Sequence, residues 1–432
     1  MKMKKINRRN FLKNAGIGSL AAMGAGVIPS ETLSAIDNTE PMKITKVEAV
    51  KFRSDFKIED RKLNQAFSFT PFTWLFLHTN TGIVGIGETY FSSESEIGAL
   101  KDYSRFLIGK DPRDIETIWF NMYHRASHTV TGGAEMRIIS AANIALWDIL
   151  GKALGVPLYR LLGGKFQKLR VYNTTPDGLR VNNMTASKDV EKISRFLLDR
   201  GVKAIKLILF REMEIKNKHS YISHVEIDQC LDQVRRIRDT VGYEMEIGLE
   251  FHSRWNLPSA IRIAKSLEPY DILFLEDMLL PDNAQSYAVL ARETSIPIMA
   301  SERKATRYQY REMIESKAVD LVMWDATWCG GISEAKKISN LADTYFLPVV
   351  AHTNGGPVLW FASIHVLSSI TNFYFMESVY VKYSTLYPYF VKNVPVPVDG
   401  FVTAPESPGL GIELREEPFK NGEAIVEIIA EA

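Results

Sequence analysis

Seven polar or ionisable residues recur at near-regular intervals through the second half of the chain: Lys206, Glu250, Glu276, Glu302, Asp325, His352 and Glu377. The separations are 44, 26, 26, 23, 27 and 25 residues. Glu250, Glu276 and Glu302 would repel one another if brought together, unless a cation neutralised them. Hard oxygen donors select Mg²⁺, which keeps positions open for water or substrate oxygens. Taken singly, each could be a surface glutamate at a helix start; the shared interval marks the three as metal ligands. Asp325 and His352 end the runs Val322-Met-Trp-Asp325 and Val349-Val-Ala-His352. A carboxylate beside an imidazole fixes its tautomer and raises its basicity, giving a general base near neutral pH. His252 follows Glu250 by two in Glu250-Phe-His252-Ser-Arg254. On a strand, i and i+2 face the same side, so His252 offers a second acid/base. Lys206 could lend charge to a substrate carboxylate or an enolate, or serve as a salt-bridge partner of Glu250.

An element must hold each of these groups. Short apolar runs precede nearly all of them: Leu169–Tyr172, Ala204–Leu209, Met245–Phe251, Ile272–Leu275, Ile296–Ala300, Leu321–Trp324, Pro348–Ala351 and Phe373–Met376. Each is followed by a helical segment. Eight such alternations predict parallel βαβ units closing into a (β/α)8 TIM-like barrel over 166–385. Active sites of barrels lie at the C-terminal strand ends, so residues spread over 171 positions would converge. Residues 42–165 read as an α+β capping domain. Lys43–Arg53 and Thr73–His78 have strand character, Asn80-Thr-Gly-Ile is a turn, and Val84-Gly-Ile-Gly-Glu-Thr continues as a strand. Helical periodicity marks Ile115–Met122 and Met136–Ala153, with Gly155 ending the second helix. Leu161-Leu-Gly-Gly-Lys is a linker. Residues 386–432, rich in Pro, Val and Gly, are expected to return to the capping domain and complete it.

Composition bounds the partners. The chain has 432 residues, more than a single core of roughly 250–300 usually serves, which predicts two domains. Lys+Arg is 52 and Asp+Glu 51, a balance that argues against a general nucleic-acid binder. Two cysteines exclude a disulfide framework or a Cys-rich metal site. The start reads differently from the rest. Asn7-Arg8-Arg9-Asn10-Phe11-Leu12-Lys13 precedes a mildly apolar stretch to Pro29. That is the layout of a bacterial twin-arginine export signal over residues 1–35, and it predicts a periplasmic protein. The apolar stretch is shorter than the ~20 residues a spanning helix needs. Residues 1–35 hold six basic side chains and one acidic, so the remainder carries 46 basic against 50 acidic. No nucleic acid, and no membrane beyond export, is expected as a partner; a homo-oligomer is.

The motifs resemble the mandelate racemase group of the enolase superfamily, over essentially all of residues 42–415. The capping domain carries Ala145-Leu-Trp-Asp-Ile-Leu-Gly-Lys-Ala-Leu-Gly-Val-Pro-Leu-Tyr and then Leu-Leu-Gly-Gly-Lys165. The barrel carries Glu276-Asp277, Ser301-Glu302-Arg303, Asp325 followed by Gly330-Gly331-Ile-Ser-Glu334, His352 with Gly356-Pro357, and Glu377. The run Glu250-Phe-His-Ser-Arg-Trp-Asn256 resembles the Asp/Glu-x-His-x-Arg run of acid-sugar dehydratases, especially galactonate-like ones. The resemblance implies that His352 abstracts the proton α to a carboxylate. His252 would then protonate the leaving hydroxyl.

Two departures bear on specificity. Racemases of the group have a second lysine on strand two, where this chain has Ile208, so racemisation by a Lys–His pair is not expected. His352-Thr-Asn-Gly-Gly-Pro357 and Trp328-Cys329 replace commoner pocket-mouth sequences. The implied activity is a Mg²⁺-dependent dehydratase of a small-molecule sugar acid, of aldonate type, giving a 2-keto-3-deoxy acid. The catalytic set is His352, Asp325, His252, Lys206 and Glu377, the last as a hydrogen-bond donor if protonated. Arg254, Arg303, Trp328 and Asn354 are the substrate-binding candidates. Loops at Phe67–Phe72 and His124–Glu135 are expected to close over the pocket. An epimerase or cycloisomerase using both histidines, or a non-catalytic sugar-acid binding protein, are the alternatives.

Overall fold

The computed structural model describes residues 41–52, 58–60, 65–67, 72–90, 94–128, 132–175 and 181–432. The export-signal segment 1–35 lies outside them, as do residues 68–71 and 129–131 of the two expected closing loops.

Strands β1 (Ile44–Phe52), β4 (Phe72–Thr79) and β5 (Val84–Tyr90) form an antiparallel meander, with the short pair β2 (Ile58–Asp60) and β3 (Gln65–Phe67) between the first two. The Asn80–Ile83 turn joins β4 to β5. Three helices, Glu94–Tyr103, Ile115–Ala126 and Gly133–Leu154, follow. The last presents Ile139, Ala142, Ala145 and Ile149 at helical spacing, and these share a core with Val47, Leu75 and Leu77 of the sheet. Gly155 ends it in the left-handed conformation, φ 67°.

The second half builds β6 (Leu169–Thr175), β7 (Ala204–Leu207), β8 (Glu246–Glu250), β9 (Ile272–Glu276), β10 (Ile298–Ala300), β11 (Leu321–Trp324), β12 (Val349–Ala351) and β13 (Phe373–Ser378). All neighbours pair in parallel, and β13 pairs with β6 through Met376 opposite Val171, closing the ring. The closed eight-stranded barrel is the expected one. The C-terminal segment divides its pairing. β14 (Phe401–Val402) lies antiparallel on β6, while β15 (Ala424–Glu431) pairs along β1 and becomes the fourth strand of the capping sheet.

Side chains alternate across each strand, so the barrel interior fills in layers. Tyr172, Ala204, Phe274, Met299, Leu321, Met323 and Val350 make an apolar plug. Gly248 belongs to this layer and has no room to be anything else: a Cβ there would sit 2.3 Å from Phe274 Cζ. Two residues further along their strands stand Lys206, Glu250, Glu276, Asp325 and His352. The chemistry therefore rests on an apolar floor. Cys230 and Cys329 are free and buried.

The capping domain grips the loops at that end. Trp119 Nε1 donates to Gly330 O at 2.8 Å, and Gly330 N donates to Ser140 Oγ at 2.9 Å. Asn143 exchanges two 3.0 Å hydrogen bonds with Ser333, and Trp147 Nε1 donates to the same hydroxyl. Among the described residues no helix is long and apolar enough to cross a membrane.

Candidate active site

His352 follows β12 directly, and Asp325 follows β11. His352 Nδ1 lies 2.7 Å from Asp325 Oδ2. Asp325 Oδ1 accepts from Thr327 N at 2.7 Å and Thr327 Oγ1 at 2.6 Å, which locks the carboxylate in place. A carboxylate can only accept, so Nδ1 carries the proton of the pair and Nε2 is the nitrogen that exchanges one with the site. Nε2 faces Glu377 Oε2 at 3.7 Å. Burial pulls the imidazolium down. Glu377, the Asp325 hydrogen bond and Glu302 outweigh it and lift His352 to about 9.

Lys206 stands at the centre. Its ammonium is 2.8 Å from both oxygens of Glu276, 3.0 Å from Glu377 Oε1 and 3.4 Å from Glu250 Oε2. Burial opposes its charge, but Glu276, Glu377 and Glu250 hold it well above the usual lysine range. The salt-bridge role weighed for Lys206 is thus present, with three glutamates rather than one. Glu250 and Glu276 lie opposite each other in register on β8 and β9. Burial and the Glu250 charge push Glu276 well up, while Lys206 and the contact with Glu276 bring Glu250 down despite burial.

Glu302 is buried just beyond β10, and its Oε2 has no hydrogen-bond partner. Among the described residues no three His, Cys, Asp or Glu side chains are set out as a ready metal cage. Lys206 takes up both Glu276 oxygens. The donor set nevertheless suits a hard cation. It has three carboxylates on successive strands, one with an unused buried oxygen and one pushed up by burial and its neighbour's charge.

Glu377 differs from expectation. It accepts from Thr353 N at 2.8 Å and from Thr174 Oγ1, and it faces the Lys206 ammonium. Burial raises a carboxyl, but Lys206, His352 and these donors bring Glu377 down to about 2. It stands as an acceptor here, since Thr353 N, Thr174 Oγ1 and the Lys206 ammonium all offer it a hydrogen.

His252 also reaches the neighbourhood by another route than expected. β8 ends at Glu250, and His252 and Ser253 take left-handed conformations, φ 53° and 61°. A turn, not strand parity, brings the imidazole round. Its backbone N donates to Glu250 Oε1 at 2.5 Å. Burial holds its ring below the ordinary histidine value, and Lys206 and Arg303 act in the same direction.

The substrate-binding candidates are distributed around the mouth. Trp328 lies with its ring 5.8 Å from that of His352, and the Arg137 guanidinium of the capping helix sits 4.3 Å over its face. Asn354 is half-buried two residues past His352. Arg303 Nε is 3.2 Å from Asp277 Oδ2 and 3.7 Å from Glu302 Oε1. Arg254 turns aside: Nη1 pairs with Glu214 Oε1 at 2.8 Å, and it lines a cavity of about 520 Å³ with His219, Ser253, Trp255, Asn256 and Leu280.

Sequence reasoning assigned no role to Asp277, Glu88 or Lys382. Asp277, quoted only as the neighbour of Glu276, accepts from Ser253 Oγ, Ser301 Oγ and Arg303. Burial and the nearby Glu302 and Glu250 push it well up. Glu88 and Lys382 carried no periodic signal at all.

Family comparison agrees with this architecture. The family model described as "Enolase C-terminal domain-like" matches residues 188–418, and the mandelate racemase / muconate lactonizing enzyme N-terminal domain matches residues 64–163. A D-galactonate dehydratase of Variovorax paradoxus is 33% identical over 355 residues, covering 80% of this chain and 89% of that protein. Another, from Ralstonia pickettii, is 32% identical over 356 residues, covering 80% and 90%. The crystal structure of an enolase of the mandelate racemase subgroup from Agrobacterium tumefaciens superposes with a TM-score of 0.79 at 33% identity, covering 90% of this chain and 99% of that one. The chain belongs to the enolase superfamily, in its mandelate racemase group. Its enzyme class is that of its named relatives, the hydro-lyases.

Proposed function

We propose that the protein is a Mg²⁺-dependent dehydratase of an aldonate-type sugar acid, exported to the periplasm by the twin-arginine route and assembled as a homo-oligomer. The observation that carries the chemistry is the His352–Asp325 pair, with Nε2 directed at the Lys206–Glu377 cluster. The D-galactonate dehydratase relatives support the substrate class.

Glu250, Glu276 and Glu302 would hold the metal, which supplies Lewis-acid charge at the substrate's carboxylate end. His352 Nε2 takes the α-proton, and Asp325 keeps the ring in the tautomer that can accept it. Lys206 donates hydrogen bonds to the oxygen on which negative charge grows. His252 gives a proton to the departing β-hydroxyl. The C–O electron pair leaves with that oxygen as water, and the remaining enol tautomerises to a 2-keto-3-deoxy acid. Trp328, Asn354 and Arg303 line the mouth where the polyol chain would extend; Arg254 reaches it only if released from Glu214.

A library of sugar acids incubated with the protein and Mg²⁺, read out as 2-keto acid, tests the reading. Formation of a 2-keto-3-deoxy acid from an aldonate is expected. In D₂O, an inverted acid labelled at the α-carbon, with no keto acid, would replace dehydration by epimerisation. Binding without either product would leave a sugar-acid binding protein.

A further inference from the structure

The loop Thr353-Asn-Gly-Gly356 connects the general base to the helix Pro357–Leu367. Two buried ionic side chains hold it, one at its amides and one at a carbonyl. Glu88, on β5 of the capping sheet, accepts from Gly356 N at 2.8 Å, Val358 N at 3.1 Å and Leu359 N at 3.3 Å, and from Trp74 Nε1 at 3.1 Å. The first amides of a helix have no partner within it, and here a carboxylate from 268–271 residues away supplies one. Gly356 is a glycine for this purpose, since a Cβ there would stand 2.3 Å from Glu88 Oε2. Lys382 Nζ donates to Gly355 O at 3.0 Å, joined by Tyr387 OH at 3.1 Å. Both ionic groups are costly where they are: burial pushes Glu88 up to about 7 and Lys382 down to about 8.

We propose that Glu88 and Lys382 are positioning residues for the general base. Together they clamp the loop after His352, and Glu88 ties that loop to the docked capping sheet. The proposal rests on His352 being the base. An apolar or neutral pair would fill the same space at lower cost in desolvation; what the ionic pair adds is a fixed loop. The capping helix holds the loop after Asp325 through Gly330, as described above. Both members of the dyad are thereby set by one docked domain.

The test uses the full-length protein with Glu88→Gln. An amide has to turn an N–H towards backbone and indole N–H groups, so it cannot replace the carboxylate. Hydrogen exchange followed by mass spectrometry should show the amides of residues 355–360 exchanging at least about tenfold faster, with the barrel strands unchanged. This readout needs no substrate, so it decides the clamp even if the sugar-acid reading fails. Turnover of the substrate found by the library should fall roughly 10–100-fold in kcat with KM within about twofold. Asp148→Asn is the control. Asp148 is also a buried capping-domain acid, but it binds Ile86 N, Leu410 N and Lys152, away from the loop. Unchanged exchange, unchanged kcat, or an equal loss of kcat in Asp148→Asn overturns the proposal. If Glu88→Gln does not fold, Lys382→Met is read in the same way.

Discussion

Replacing Asp325 with Asn should nearly silence the enzyme while leaving it folded, and the structure says why. Asp325 Oδ1 accepts two donors, Thr327 N and Thr327 Oγ1, whereas Oδ2 accepts one, from His352. An Asn at this place keeps its carbonyl oxygen towards the two donors, because turning it round would set an NH₂ against both. At a typical 0.5–1.5 kcal/mol per neutral bond, that preference is worth about 1–3 kcal/mol. The NH₂ then faces His352 Nδ1 and imposes the tautomer with hydrogen on Nε2. The nitrogen that should take the α-proton already carries one. Loss of a general base costs about 10²–10⁴-fold, so kcat for keto-acid formation should fall by that factor. Exchange of the substrate α-hydrogen with D₂O should fall in parallel, because both need the same proton transfer. Thermal unfolding should stay close to wild type, since the Thr327 bonds survive. Turnover within threefold of wild type, with normal folding, would refute both the tautomer argument and the placement of the base at His352.

Glu276→Gln should weaken Mg²⁺ binding severely in calorimetry, since a neutral amide does not replace a charged ligand; unchanged affinity removes Glu276 from the site. His252→Asn should lower product formation by about 10²–10⁴-fold while some α-proton exchange continues, because exchange does not need the leaving-group acid. Gly248→Ala should destabilise the barrel by about 1–3 kcal/mol in denaturant unfolding through its clash with Phe274, and Phe274→Leu should recover part of that loss; an unaffected midpoint contradicts the packed floor. His365 accepts from Tyr159 N and bonds Leu410 O, and burial holds it down to about 4 from an ordinary 6.5. The folded state therefore prefers the neutral ring. Its contribution is complete above pH 6.5 and is lost as pH falls towards 4, roughly 3 kcal/mol, and His365→Gln should flatten that slope in unfolding measured at pH 7 and 4.5.

The barrel was legible because buried parallel strands read as short apolar runs, and nearly every run carries its own polar residue at or near its end. The runs at Leu321–Trp324 and Ala204–Leu209 predict β11 and β7 to within two residues, and Gly155 marks its helix end by the φ it adopts. The His352–Asp325 contact followed from adjacency of β12 and β11, which the order of a closed barrel dictates. What was illegible depends on contacts across the chain or on backbone turns. His252 reaches the site through two left-handed residues, a geometry that an i, i+2 count does not contain. The ionised state of Glu377 depends on Lys206, 171 residues away, and on Thr353. Arg254 is claimed by Glu214, which lies in the longer insertion between β7 and β8. Glu88 sits in an ordinary strand, and its partners are a domain away.

Charge connects these observations. Around the strand ends stand Glu250, Glu276, Glu302, Glu377, Asp277 and Asp325, against the cations Lys206 and Arg303 and the titratable His252 and His352. Carboxylates at such density repel one another, and burial adds to the cost of keeping them charged. Glu276 and Asp277 are driven well up, and His352 is lifted to about 9. Burial is the largest cause for the two carboxyls, with neighbouring carboxylates adding to it; for His352 the surrounding carboxylates outweigh burial. Under the proposed reading, Mg²⁺ supplies positive charge. Glu250, Glu276 and Glu302 would hold the ion, and its charge would offset the repulsion among them. The same acid excess that makes the site a costly piece of protein by itself thus suits it to a hard cation.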